Sequence, residues 1–252
     1  LKALHGLTSD SLDAIIAPAS TLFRRVMPRG LFLALTFKLA KNDLIERADL
    51  IQKLQTLGYQ RSPVVEDAGQ YAVRGDIIDI FPPQLEQPIR LTLFDIEVES
   101  IKDFDPITQR TAGERLECEF PPAREFLLEL TKHAPEAAKA FLRPHWPSDL
   151  KKRADARDIP KLKRDQTIDQ MLNGLHFPGS DYFLPLLYAQ TDALLDYASV
   201  RTVLINDTGA PLPAQAQTFI EELADDRSRS EHLETIFSPE ELYLDSVAFD
   251  QS

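Results

Sequence analysis

The sequence predicts an α/β protein of the α+β kind, in which one amphipathic helix leads into a run of antiparallel strands. Three observations support this. Leu44, Ile45, Leu50, Ile51, Leu54 and Leu57 keep the spacing of one helix face, and Gly58 stands where a helix-terminating glycine belongs. Segments 70–81, 88–95 and 97–104 are rich in strand-forming residues and are broken by Pro82-Pro83 and short polar steps. The chain has 252 residues, 43% of them hydrophobic, which is enough to fill real cores.

Taken in order, residues 1–28 read as the tail of an α/β unit. Ser9-Asp10-Ser11 caps a short helix there, and AIIAPAS (14–20) forms a buried strand. Residues 31–39 alternate loosely and predict a strand. Asn42 or Asp43 then caps the helix over 44–57. The strands follow, with another at 115–120, and residues 29–110 make a small α+β domain. Residues 111–252 form the remaining domain and a C-terminal linker. Helices are predicted at 124–142 and 166–174, with a polar, charge-rich connection between them. TVLIN (202–206) reads as a strand and 213–227 as an amphipathic helix. Ser238-Pro239-Glu240-Glu241 starts a last helix, with Ser as cap, Pro in the first helical position and acids in the first turn.

The formal net charge is −12 and is unevenly spread: residues 1–110 carry a balance of −2 and residues 111–252 a balance of −10. A chain of this charge is not suited to coating duplex DNA, which requires cationic neutralisation of phosphates, so a protein partner is expected. The lone cysteine, Cys118, rules out an internal disulfide and fits a cytoplasmic setting. No apolar run reaches the roughly 18–20 residues of a membrane span. The sequence opens on Leu1 without an initiator methionine, which suggests a fragment.

Catalytic parts are missing from the sequence. No glycine is followed by lysine, so there is no phosphate-binding Gly-x4-Gly-Lys loop, and Asp76-Ile77-Ile78-Asp79 has no such loop to work with. The five histidines lack metal-ligand spacing, and one cysteine builds no common zinc site. No Gly-x-Ser-x-Gly elbow occurs. The expectation is therefore no catalytic residue, metal or cofactor in this chain.

The run Tyr71-Ala72-Val73-Arg74-Gly75-Asp76-Ile77-Ile78-Asp79-Ile80-Phe81-Pro82 is unusual because it sets an arginine and a Gly-Asp step inside a strand-forming stretch. A guanidinium offers five donors in a planar fork, suited to a partner's carboxylate, and Gly75 permits close backbone approach. Arg74 and Arg61 are the candidate contact residues. The alternative for Arg74 is an internal pair with Asp76, Asp79 or Asp105. Phe81 is a candidate apolar anchor or a core residue. Tyr71 is a weaker candidate, and Gln60 is expected to share the face of Arg61. Lys151-Lys152-Arg153, Arg157, Lys161, Lys163 and Arg164 form a basic island, read either as a solvated face or as a contact for DNA or an acidic domain. Trp146, between Pro144 and Pro147, is expected to be packed at a domain seam.

These elements resemble a known family. Gly58-Tyr59, Arg61, Gly69, Tyr71, Val73-Arg74-Gly75-Asp76, Asp79-Ile80-Phe81-Pro82, Ile89-Arg90, Phe104-Asp105 and Thr108-Gln109-Arg110 are similar to the second domain of the UvrB-homology module of bacterial transcription-repair coupling factors. Phe183-Leu184-Pro185-Leu186-Leu187-Tyr188 and Ser238-Pro239-Glu240-Glu241-Leu242-Tyr243-Leu244 resemble that module rather than UvrB itself. Two departures stand out: Gly179-Ser180-Asp181-Tyr182 before the LPL motif, and Phe94-Asp95-Ile96 where the family has a Phe-Gly-Asp turn.

The resemblance implies a degenerate RecA-like half-domain, ending in residues 1–28, with the α+β domain inserted. It also implies docking of the excision-repair ATPase UvrA through Arg61 and Arg74, a surface hidden until another domain of the longer protein moves; Phe81, read from its place at the strand end, is the candidate apolar contact beside them. RNA polymerase, DNA, ATP and magnesium would be handled by the rest of that protein. Two other readings remain: a fragment of a UvrB-type DNA-dependent ATPase, or a structural brace between domains.

Overall fold

The computed structural model describes residues 1–9, 14–175, 177, 179–198, 211–229 and 236–245. The chain divides into two units: Leu1–Gly6 with Gly30–Ala138, and Leu7–Arg29 with Lys139–Ser252. The expected boundary at 110/111 falls inside the first unit, and residues 1–28 are shared between the two.

The first unit confirms the α+β class. Helix α1 (Arg47–Thr56) buries Leu50 and Leu54. Gly58 ends it in a Schellman turn, in which the Gly58 amide donates to the Gln55 carbonyl and the Tyr59 amide to the Leu54 carbonyl, both at 3.0 Å. Gly58 has φ +81°, and its α-carbon is crowded by Leu127 and Arg124, so glycine is required twice over. The expected cap at Asn42 or Asp43 does not form. Asp43 instead accepts the Ala40 amide at 2.8 Å, and the Asp43 and Ile45 backbone pairs with 96–98. Residues 29–35 are helical rather than extended, because Leu31, Phe32 and Leu35 bury one helix face and leave Leu33 exposed. The strand Phe37–Ala40 follows and pairs with Glu117–Phe120.

Six strands make the main sheet in sequence order: β1 (Gln60–Arg61), β2 (Gln70–Arg74), β3 (Ile77–Ile80), β4 (Ile89–Phe94), β5 (Glu97–Phe104) and β6 (Thr111–Arg115). Only β1 and β2 run parallel; every other neighbouring pair is antiparallel. The segment read as one strand over 70–81 is a hairpin. Gly75, with φ +62°, takes the first position of a two-residue turn, the place a II′ turn reserves for glycine. Asp95 occupies the same position between β4 and β5 with φ +57°, so the turn forms without the family's glycine. Strand β6 runs through Gly113.

Because opposed residues in a ladder share a face, the register assigns every side chain. Tyr71, Ile78, Ile80, Ile89, Leu91 and Ile101 point to one buried face. The Tyr71 hydroxyl lies beside Gln55 of α1, so α1 covers this face. Ala72, Arg74, Ile77, Asp79, Arg90, Thr92 and Phe104 lie on the other face.

The second unit is mainly helical. Where the first unit ends, the expected long helix over 124–142 is reduced to two single turns, Leu130–His133 and Glu136–Lys139, separated at Pro135. The charge-rich connection instead contains helix α2 (Trp146–Ala156), with Pro147 in its first turn and Trp146, Leu150 and Ala154 buried at helical spacing. Helix α3 (Lys161–Leu172) starts earlier than expected. Helix α4 (Leu212–Arg229) matches the predicted amphipathic segment. Leu184–Leu187 is a buried helical turn, and Phe183 meets Phe237 edge-on at 5.7 Å. At the start of Pro239–Leu242 the Ser238 amide donates to Glu241 Oε2 at 2.8 Å, as the capping pattern predicts. Residues 14–18 form no strand, and Ile16 is fully exposed. The TVLIN segment lies outside the described residues.

Candidate partner-docking site

The outer face of the sheet has a covered part and an open part. Strands β1 and β2 are parallel, so the chain between them must cross over rather than turn back. It crosses the outer face and places Val65 in a fully buried cluster with Ala72 and Phe104, against which Phe81 packs. Beneath this cover lies the rung Ala72–Asp79–Arg90–Lys102. Arg90 forks onto Asp79, with Nε to Oδ1 at 2.7 Å and Nη2 to Oδ2 at 2.9 Å. Its guanidinium also stacks 4.7 Å from the Phe104 ring centre and donates to the Gln109 carbonyl at 3.3 Å. Asp79 is therefore committed to Arg90, and Asp105 accepts the amides of Ile107 and Thr108 at 2.8 and 2.7 Å. Those amide bonds, Thr108 first, hold the Asp105 carboxyl below its usual range.

Arg74 pairs with none of the carboxylates that might have held it. Its Nη2 donates to the Pro63 carbonyl at 3.1 Å, and it forms no ion pair among the described residues. The side chain is exposed, and the space over Gly75 is open. Arg47 of α1 donates to the Gly75 carbonyl at 3.1 Å and so holds the turn next to Arg74.

The three candidate residues do not share one face. Arg74 and Phe81 lie on the outer face, with Phe81 half-buried against the Val65 cluster rather than standing free. Arg61 is exposed on the edge strand, but its register partner is Tyr71, which puts it with the inner face. Its charge acts on the Tyr71 hydroxyl, a buried group whose pKa burial nonetheless raises. That hydroxyl makes no hydrogen bond of normal geometry, although Gln55 is nearby. Gln60 alternates with Arg61 and faces the other way.

In the second unit, the basic island sits on α2 and α3. Arg153 forks onto Glu241 at 2.7 and 3.0 Å and lies over the Phe237 ring. Arg164 binds Asp155 and Asp165. Two of its arginines are thus committed to carboxylates, while Lys151, Lys152 and Lys161 are exposed. Trp146 is buried at the start of α2. A cleft of about 260 Å³ is lined by Arg24, Arg25, Tyr182, Glu241 and Tyr243, and its charges are partnered: Arg24 with Asp181 at 3.8 Å, Arg25 with the Glu240 carbonyl at 3.0 Å and Glu241 with Arg153. Among the described residues no group of three or more His, Cys, Asp or Glu is placed to hold a metal ion. No helix among them is long and apolar enough to cross a membrane.

An α1-backed, mostly antiparallel sheet with a partly covered outer face, carrying an exposed arginine that holds a loop carbonyl and no carboxylate among the described residues, has the make-up of an interaction domain. Residues 37–126 match the family described as the UvrB interaction domain, which spans all of this sheet. Over most of its length the chain is also homologous to a stretch of the transcription-repair-coupling factors. It is 32% identical over 233 residues to that of Myxococcus xanthus, covering 90% of this chain and 18% of the relative. To that of Escherichia coli it is 30% identical over 252 residues, covering 97% and 20%. To that of Bacillus subtilis it is 28% identical over 218 residues, covering 82% and 18%. The chain thus spans about a fifth of the length of these relatives.

Proposed function

We propose that this chain docks UvrA and, within a longer protein, brings it to stalled RNA polymerase so that excision repair begins on the transcribed strand. The observation that carries this is Arg74: an exposed guanidinium, on the open face of a UvrB interaction domain, with no carboxylate of its own. Arg61 adds a second guanidinium at the adjoining sheet edge, and the uncovered part of Phe81 flanks the surface. The chain acts by docking alone. No phosphate-binding loop occurs in its sequence, and ATP and magnesium belong to motor domains elsewhere in the longer protein.

The bond from Arg74 to the Pro63 carbonyl favours a second reading, that Arg74 braces the crossover loop. One experiment separates them: titration of UvrA with the purified chain, wild type against Arg74→Ala, with thermal melting in parallel. Docking predicts a loss of about 2 kcal/mol or more of binding, roughly thirtyfold in Kd, with little change in melting. A brace predicts lower melting and unchanged affinity. A well-folded wild-type chain that fails to bind UvrA overturns the docking proposal.

A further inference from the structure

The cover over the outer face stops at a definite place. The rung holding Asp79 and Arg90 lies under Val65, Phe81 and Phe104, and Asp79 is 1% exposed. The next rung toward the Gly75 turn is Arg74–Ile77–Thr92–Ser100, each residue paired with the next across four adjacent strands. This rung is open. Ile77 is 36% exposed, whereas its neighbours Ile78 and Ile80 are fully buried on the other face. Ile77 is the rung's only large apolar side chain, and Arg74, directly opposite it, is its only charge. Val64, one residue beyond the carbonyl that Arg74 holds, is exposed to the same degree.

An arginine with spare donors beside an aliphatic side chain, edged by two hydroxyls, has the make-up of an interface centre: an apolar anchor, a directional charge and a polar rim. Directly opposed side chains in a sheet stand about 4.5–5.5 Å apart, so a single partner side-chain cluster covers both. We infer that the docking surface is centred on this rung, that Ile77 is its apolar anchor, and that the partner surface it fits presents a carboxylate beside an aliphatic side chain. Charge complementarity fixes the sign: the rung offers one guanidinium and no acid.

This inference rests on the docking reading above, and its test separates the two. Ile77→Thr keeps a β-branched residue in the strand while removing the apolar group, and Ile77→Ala truncates it without adding polarity. Both are titrated against UvrA alongside wild type, Arg74→Ala and Leu44→Ser, with melting temperatures recorded. Leu44 is a still more exposed apolar residue, outside the rung. The expected result is a Kd about tenfold weaker for both Ile77 variants, near-wild-type melting, and unchanged affinity for Leu44→Ser. Loss of binding in Arg74→Ala with full binding in both Ile77 variants overturns the inference and leaves the docking reading standing. Equal weakening by Leu44→Ser, or a steep fall in melting for both Ile77 variants, also overturns it. No binding by well-folded wild type overturns both.

Discussion

The Asp79–Arg90 fork should be the most costly polar interaction to break in the first unit. The Asp79 side chain is 2% exposed and that of Arg90 19%. Two unit charges about 4 Å apart attract by roughly 4 kcal/mol at an effective dielectric constant near 20. Removing one partner of a buried pair typically costs about 3–5 kcal/mol, since the other is left charged and unpaired. Asp79→Ala belongs at the lower end, about 3 kcal/mol, because Arg90 keeps the Gln109 carbonyl and some access to water. Arg90→Ala belongs nearer 4 kcal/mol, because it strands a buried carboxylate and removes the stacking on Phe104. The double variant removes both charges and should cost about 2–3 kcal/mol less than the two single losses combined. The assay is equilibrium urea unfolding followed by far-ultraviolet circular dichroism. The sole tryptophan, Trp146, lies in the second unit, so its fluorescence separately reports that unit. The part of the circular dichroism change that does not coincide with the fluorescence transition should move, while the fluorescence transition stays. Single losses below about 1 kcal/mol, or losses that simply add, would refute the reasoning.

Two further outcomes follow from the same unit. Gly58→Ala should cost about 2–3 kcal/mol in urea unfolding, because an added Cβ sits 2.9 Å from Leu127 Cδ2 at a φ of +81°. A loss under about 0.5 kcal/mol would mean the Leu127 packing yields freely. Burial pushes the Cys118 thiol up to about 12. An unfolded cysteine ionises near ~8.5, so this group's contribution to stability is complete below that pH and is lost as pH rises toward the folded value. Cys118→Val should therefore lose less of its urea midpoint between about pH 8 and pH 10.5 than wild type does, and native Cys118 should react with a disulfide reagent at pH 8 far more slowly than the unfolded chain.

Legibility in the sequence followed how local the cause was. Helix α1 and its end were readable because spacing and Gly58 are local signals, and the Schellman bonds realise them. Strand β5 was readable to the residue from its content of strand-forming residues between turn signals, although its buried positions Val98, Ile101 and Phe104 do not follow a strict alternation. LFLAL (31–35) was misread because nearly every position is apolar and no period discriminates. Helix α2 was missed because its charged residues, Asp149, Lys151, Lys152, Arg153 and Asp155, outweigh three core positions, although the Pro at its start was a usable signal. At the site, an exposed Arg74 was legible from its place beside Gly75. The fate of Phe81 was not, because the cover comes from Val65, sixteen positions earlier, on a loop whose crossing depends on the parallel pairing of β1 and β2. The separation of Arg61 from Arg74 depends on that same pairing.

The two arginines of the outer face show why exposure alone does not define a docking residue. Arg74 and Arg90 occupy neighbouring rungs of one sheet face. Arg90 spends its fork on Asp79, its third donor on the Gln109 carbonyl and its plane on Phe104, so little is left for a partner. Arg74 gives one bond to Pro63 and keeps the rest. The covered rung therefore serves the fold, whereas the open rung leaves donors of Arg74 and the Ile77 side chain exposed, and the boundary between them is set by how far the crossover loop reaches. Arg74 stands on that boundary, because it is bonded to the loop itself, so the melting of Arg74→Ala has to be read beside its affinity. Ile77 holds no such bond to the loop. A binding defect at Ile77 with unchanged melting would assign the open rung to a partner independently of the result at Arg74.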